Sequence, residues 1–359
     1  MGSGFVGCCC AWLLSKQGFD VTIISPVKDV TAGSIAALGL LMANVFQRSS
    51  GRNWRLRQQS LALFGQWQQE LEAAGFEVAI QRGLWMLANS SNQFEKQQAL
   101  AEKRKKENIK LETFDPIQLN NFVNSGRLPE LPKGVCGALW SEFDGQLEPQ
   151  QWMQALLRNG QNYGLEIING VVNQLKQDCG SWQVSWLGNS NDQKYSENRK
   201  FNVILLCSGL ASTELLKPLA EDISTAITLQ PVIGQALELK LPTDIYWQGS
   251  FNWDGINLVP RAGGRLWLGA TLEPAQTASE MGATGALQAM QHLNGAAPEW
   301  LKRAQILRKW QGVRAQPLER TAPVLELLLP GLMILAGHYR NGILLGPASA
   351  AWAAANILN

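Results

Sequence analysis

The chain opens with Gly2-Ser3-Gly4-Phe5-Val6-Gly7, glycines in the spacing G-x-G-x-x-G. This spacing fixes three backbone requirements at once. The first glycine permits a tight turn, the second lets the backbone approach a pyrophosphate, and the third lets a helix pack closely on a sheet. Such glycines also recur by chance, so the surroundings decide. Here Phe5 to Lys16 reads as a helix that Gly18 terminates, and Val21-Thr22-Ile23-Ile24 reads as a buried parallel strand. Two features depart from the pattern. Where an acidic residue would bind a ribose hydroxyl, the chain has Ser25, followed by Pro26, and a hydroxyl bonds more weakly than a carboxylate. A strand of about five apolar residues is expected before Gly2, where only Met1 stands. The expectation is a start upstream of Met1. The alternative is a truncated product unable to bind its cofactor.

Near the other end, Gly337-His338-Tyr339-Arg340-Asn341-Gly342-Ile343-Leu344-Leu345-Gly346-Pro347 reads as a glycine turn after a strand, feeding an apolar helix that runs to Leu358. A helix start of this kind presents free N–H groups and a positive dipole end to an electron-rich partner. The small residues of Ser34-Ile35-Ala36-Ala37-Leu38-Gly39 permit close backbone approach to something flat. Between the ends, helices are predicted at Trp54 to Ala74, Gln93 to Lys106 and Gln151 to Tyr163. Strands are predicted at Leu84 to Ala88, Glu166 to Ile168, Trp182 to Trp186, Val203 to Leu206, on both sides of Asp254-Gly255, and at Arg265 to Ala270. Asn189 to Arg199 reads as a hairpin or surface loop. Helix–strand alternation at the ends and strand-rich segments between them imply an α/β cofactor domain built from residues 1–78, 145–215 and 312–359, with a mixed-sheet substrate domain at 79–144 and 216–311.

Further motifs follow in order: Glu148-Pro149, Cys207-Ser208-Gly209, Pro231-Val232-Ile233-Gly234-Gln235, Leu258-Val259-Pro260-Arg261, Gly264-Arg265-Leu266, Gly269-Ala270-Thr271 and Trp310-Gln311-Gly312-Val313-Arg314. With the two ends, this set resembles the FAD-dependent D-amino-acid oxidase superfamily, and within it the glycine oxidases most closely. The resemblance implies an α/β fold: a Rossmann-like FAD/NAD(P)-binding domain, its first strand apparently missing, with an inserted mixed-sheet α+β substrate domain. It implies FAD contacts at Gly2, Gly4, Gly7, Ser25, Ser34, Leu38, Gly39, Leu40, Val172 and Gly209. The flavin ring would be lined by His338, Tyr339, Arg340, Asn341, Gly342, Ile343 and Leu344. Arg314 would grip a substrate carboxylate, because a guanidinium offers a two-pronged match. Arg340 would assist, and Asn257 would stand over the substrate where glycine oxidases have tyrosine. The family's Asp-Gly before a downstream proline is replaced by Arg320-Thr321-Ala322 ahead of Pro323. The substrate pocket therefore differs from that of glycine oxidase.

The implied activity is oxidation of the C–N bond of a small amino acid or secondary amine, with oxygen or another electron acceptor. The flavin is the electron sink, so no paired acid and base are required. That suits a chain with two histidines. His292 lies in a polar helical stretch and reads as a surface residue; His338 is a turn residue or a catalytic one. Three other readings stay open: a same-fold dehydrogenase using a non-oxygen acceptor, an FAD-dependent tRNA-modifying enzyme, and a remnant that lost its cofactor. The net charge of +2 argues against nucleic acid. Glycine oxidases often serve thiamine biosynthesis, and nothing in the residues shows that role here.

The remaining features are bland. The six cysteines form no metal pattern, since Cys8, Cys9 and Cys10 point apart on a helix. A reduced, cytoplasmic protein fits, without a membrane span and compatible with a homo-oligomer. Lys103-Arg104-Lys105-Lys106 reads as a solvated helix face. Gly51 to Arg57, with three arginines around Trp54, reads as a solvated helix start, an anionic-substrate rim or a partner surface.

Overall fold

The first helix runs Phe5–Lys16, as its sequence predicts. It carries no charge before Lys16, so nearly every side chain can be buried; Phe5, Cys8, Cys9 and Trp12 are 0–1 % exposed. The last helix, Gly342–Ile357, is equally apolar and packs against it. Two more helices close the same core. Arg52–Ala73 supplies Trp67, whose ring lies 4.7 Å from that of Trp12. Pro149–Gln161 supplies Asn159, which accepts a hydrogen bond from Trp12 Nε1 at 2.7 Å. The computed structural model describes residues 1–26, 32–190, 193–223, 226–242, 244–274 and 284–358.

Three sheets organise the rest. In the first, Thr22–Ser25 pairs in parallel with Glu166–Asp178, which continues antiparallel to Ser181–Ser190 and then Gln193–Phe201. The segment predicted as Glu166 to Ile168 is thus much longer. Beyond Ile168 it pairs with the hairpin and is largely solvated, so no apolar run marks it. The second sheet orders Val324–Leu329, Leu332–Ala336 and Ile204–Leu206, the last two parallel. Met1 and Gly2 stitch these two sheets together. The Met1 amino group donates to Leu205 O at 2.7 Å, Cys207 N donates to Met1 O at 2.9 Å, and Gly2 N donates to Ile24 O at 3.0 Å.

The third sheet has ten strands. Its central run is Gln305–Pro317, Leu229–Lys240, Arg265–Gly269, Ile256–Arg261, Ser250–Trp253, Ile80–Ala88 and Gly137–Leu147. One core contains Trp85, Trp140, Trp247, Phe251 and Trp300. A smaller one sets Ala236, Val259 and Trp267 against Leu38, Leu40 and Trp310. This second contact brings the 36–41 segment onto one face of the sheet.

Candidate active site

The glycine turn lies beside the C-terminal ends of the parallel strands, where open α/β sheets bind their ligands. Its shape admits glycine alone: a Cβ at Gly7 would stand 2.0 Å from Gly2 O, and one at Gly2 would stand 2.7 Å from Cys207 O. Gly4 is the N-cap of the first helix, without a side-chain cap or an acidic residue in the first turn. Ser34 Oγ accepts from Phe5 N at 2.9 Å, which places it at that helix start. Ser25 braces the turn from the strand end. Its Oγ accepts from Ser3 N at 3.2 Å and lies 2.9 Å from Ser3 Oγ. Gly209 follows the strand Ile204–Leu206 at φ 59°. Val172 pairs with Trp186, just before the ladder shifts register at Gln174.

The 36–40 segment is held to the sheet through its backbone. Trp310 Nε1 donates to Ala36 O at 3.0 Å. Arg261 Nη2 donates to Leu38 O at 2.7 Å and Leu147 O at 3.2 Å, with its guanidinium 4.1 Å from the centre of the Trp267 ring. Gly39 has φ 76°, and a Cβ there would meet Leu147 O at 1.9 Å. Leu38 is buried, and Leu40 pairs with Gln146.

His338 turns away from solvent. Its Nε2 lies 2.8 Å from Ser349 Oγ, and that hydroxyl donates its one proton to Leu345 O at 2.8 Å. The ring must therefore donate through Nε2–H. Burial, with Arg52 nearby, pushes the imidazole pKa down to about 4. The residue is a neutral clasp between the turn and the last helix. Tyr339, Arg340 and Asn341 form one 3-10 turn, with Arg340 exposed. Asn341 is the N-cap of the last helix, and the Ile343 and Leu344 side chains enter the core, so only their backbone is free to face a ligand.

A group with a depressed folded pKa binds its proton more readily in the unfolded chain. His338 therefore contributes stability that is full above the unfolded pKa near 6.5 and is lost as pH falls toward about 4. His338→Gln is expected to remove roughly 3 kcal/mol of that pH dependence. Melting temperatures from pH 7 to 4 for both proteins check this, with parallel curves as the contrary result.

Arg314 lies on the sheet face that meets Leu38. It pairs with Val232, two residues from Gly234 on the same face, and the row Ala236, Gly269, Asn257, Asn252 continues that face. Nη1 of Arg314 donates to Ile233 O and Thr271 O, each at 3.2 Å. The guanidinium covers Gly234, where a Cβ would stand 2.2 Å from Nη2. Burial lowers its pKa, and the neighbouring Arg340 lowers it further, against a smaller upward pull from Tyr339. Among the described residues, no carboxylate comes within ion-pair distance of Arg314 or Arg340. Asn257 joins a buried amide chain: Asn252 Nδ2 donates to Asn257 Oδ1 at 2.7 Å, and Asn257 Nδ2 donates to Gly269 O at 3.2 Å. Asn252 escapes a reading by motif, although a two-residue Asp254-Gly255 turn sets it opposite Asn257.

Two basic segments differ from their sequence readings. Arg104 is no solvated residue but is 0 % exposed. Its Nε donates to Asn44 O at 2.8 Å, Nη2 donates to Phe46 O and Arg48 O, and the guanidinium sits 4.0 Å from the Trp54 ring centre. In the segment Gly51 to Arg57, Arg52 donates to Pro323 O and Leu325 O, while Arg57 is buried and donates to Met42 O and Asn341 Oδ1. Arg57 is neither rim nor solvated surface, whereas Arg52 and Arg55 stay exposed at the helix start. Backbone carbonyls take most of the hydrogen bonds of Arg52, Arg57 and Arg104, with Asn341 Oδ1 and the Glu107 carboxylate taking one each, and carbonyls leave no trace in a charge pattern. The same 42–48 segment is held from within by Asp144, whose carboxylate accepts from Ala43 N at 2.8 Å, Asn44 N at 2.9 Å and Val45 N at 3.1 Å. Burial pushes that carboxyl up, and the three N–H bonds oppose the shift. Among the described residues, no cluster could hold a metal ion, and no helix is long and apolar enough to cross a membrane.

A family model described as DAO, FAD dependent oxidoreductase, matches residues 1–356. Glycine oxidase of Geobacillus kaustophilus is 24 % identical over 362 residues, covering 97 % of this chain and 89 % of that protein. The bifunctional protein ThiO/ThiG of a Nostoc species is 26 % identical and covers 98 % of this chain, which spans 51 % of that longer protein. Among solved structures, glycine oxidase from Bacillus cereus superposes with a TM-score of 0.82 at 22 % identity, covering 99 % of this chain and 93 % of the other. That last likeness concerns the fold.

Proposed function

The chain belongs to the family of FAD dependent oxidoreductases, and we propose that it oxidises the C–N bond of a small amino acid or secondary amine. The observation that carries this reading is Arg314, a largely buried arginine with no carboxylate partner among the described residues, laid across a glycine on the sheet face above the 36–40 segment. A buried cation that lacks an anion is a ready carboxylate site.

The residues present fit FAD. The turn is closed to a side chain at Gly2 and Gly7, and the first helix begins with no acidic residue to repel a pyrophosphate. The last helix likewise begins without a side-chain cap. Gly2, Gly4, Gly7, Ser34 and Gly209 would hold the nucleotide end, and the backbone of 38–40 and 339–344 would hold the ring. Bound FAD would accept a hydride from the carbon that bears the amine.

The chain's own part is binding and orientation. Arg314 takes the carboxylate in a fork, and Arg340 adds a second positive charge. Together they turn the amine-bearing carbon toward the ring. Asn252 and Asn257 bring amide groups where a glycine oxidase has tyrosine, so the substrate's far side meets a polar surface. His338, neutral and bonded to Ser349, holds the turn and moves no proton. The resulting imine hydrolyses in water: glycine yields ammonia, sarcosine yields methylamine, and the cyclic imine from D-proline opens to a keto acid that keeps its amine.

The reading is tested by incubating the FAD-loaded protein with glycine, sarcosine and D-proline. Oxygen uptake and dye reduction are followed alongside the product: released amine for glycine and sarcosine, the cyclic imine for D-proline. Product formation matched by either acceptor supports it. Turnover of none of the three, with FAD bound, would overturn the small-amino-acid reading.

A further inference from the structure

An asparagine at an N-cap ordinarily turns its side chain back to accept from the second or third N–H of its own helix. Asn341 does not: it is the N-cap of the last helix, yet its side chain makes no capping bond. Its Oδ1 instead accepts from Arg57 Nη2 at 2.9 Å. Arg57 is held for this purpose from two other sides. Nη1 donates to Met42 O at 2.7 Å, and the guanidinium lies 4.1 Å from the Phe46 ring centre. The side chain is 7 % exposed and keeps its charge, with a pKa of about 10 that burial lowers and Asp144 supports.

We propose that Arg57 is a positioning residue that diverts the Asn341 side chain from capping its own helix, and so keeps the first-turn N–H groups of the last helix open for acceptor atoms of FAD. This rests on the FAD reading above. Asn341 now has φ −117° and ψ 15°, and a capping residue is extended; without Arg57 its side chain is released, and a swing of this backbone to the extended form brings Oδ1 onto the N–H of Ile343 or Leu344. Cofactor and cap would then compete for the same donors. An asparagine cap is worth about 1 kcal/mol, so competition should weaken FAD binding about fivefold. The cost of losing Arg57 thus comes mainly from what Asn341 does next, not from a lost contact to the cofactor.

That logic makes a rescue possible. Arg57→Met keeps a long side chain over Phe46 and removes every donor. It is expected to raise the FAD dissociation constant about fivefold, measured by quenching of flavin fluorescence. Adding Asn341→Gly, which cannot cap through a side chain, should bring the double variant back to within about twofold of Asn341→Gly alone. Melting temperatures of the apoproteins report folding separately, and Arg57→Lys serves as a second probe if Arg57→Met is unstable, with an intermediate loss expected. An unchanged dissociation constant in Arg57→Met, or a double variant weaker than Asn341→Gly by the same factor as Arg57→Met is weaker than wild type, overturns the proposal. If the wild-type protein itself binds no FAD, the reading beneath the proposal fails, and the two failures are told apart by that first titration.

Discussion

Arg314→Ala is expected to lower kcat/KM for amino-acid substrates about a hundredfold and to leave FAD content at the wild-type level. A lost two-pronged charge contact in a site shielded from water costs a few kcal/mol, which is roughly that factor. The loss should fall mainly on KM if the carboxylate contact is equal in ground and transition states. Arg314→Lys should recover part of it, since an ammonium cannot reproduce the fork. Gly234→Ala separates geometry from charge. Its new Cβ would stand 2.2–2.4 Å from the guanidinium atoms of Arg314. The arginine is the flexible partner in that clash, so the strand should survive while the guanidinium is pushed out of place. KM should rise for Gly234→Ala with little change in melting temperature. If steady-state kinetics show both Arg314 variants behaving as wild type, Arg314 leaves the site and Arg340 becomes the carboxylate candidate.

Asp144→Ala is expected to be the most damaging change to stability, at about 3–5 kcal/mol. Its two oxygens satisfy three consecutive backbone N–H groups, of Ala43, Asn44 and Val45, where water does not reach. Each donor left unpaired costs about 1–3 kcal/mol. The segment so released also carries Met42 O, which anchors Arg57, and Asn44 O and Phe46 O, which anchor Arg104. For a chain of this size the melting temperature should fall about 5 °C. Asp144→Asn keeps one acceptor oxygen and should lose less. A melting temperature within about a degree of wild type for Asp144→Ala would mean that the 42–48 segment is held mainly by the arginines.

The parts of this molecule that were legible in the sequence are those with local signals. Phe5–Lys16 was marked by an unbroken apolar run, a glycine spacing before it and Gly18 after it. The last helix was marked in the same way by Gly337 and its alanines. Arg314, the proposed carboxylate site, stands out through its W-x-G-x-R neighbourhood. What stayed hidden depends on contacts between distant segments. Asp144 sits in an ordinary strand, and its importance comes from N–H groups about a hundred positions earlier. Arg104 sits in a run of four basic residues, three of which face outward or make no buried contact, and no local pattern tells it from them. Arg57 and Asn341 are 284 positions apart. The resemblance implies that Asn341 lines the flavin ring, and nothing in the sequence shows that its side chain is held by Arg57.

The most direct test of the account is anaerobic mixing. The protein is loaded with FAD, freed of excess cofactor and oxygen, and mixed with glycine, sarcosine or D-proline while its visible flavin absorbance is followed. The account predicts that the protein retains FAD and that at least one of these compounds bleaches it. It also predicts that the bleaching slows sharply in Arg314→Ala. Retained FAD that stays fully coloured with all three compounds, or a folded protein that retains no FAD, would contradict it.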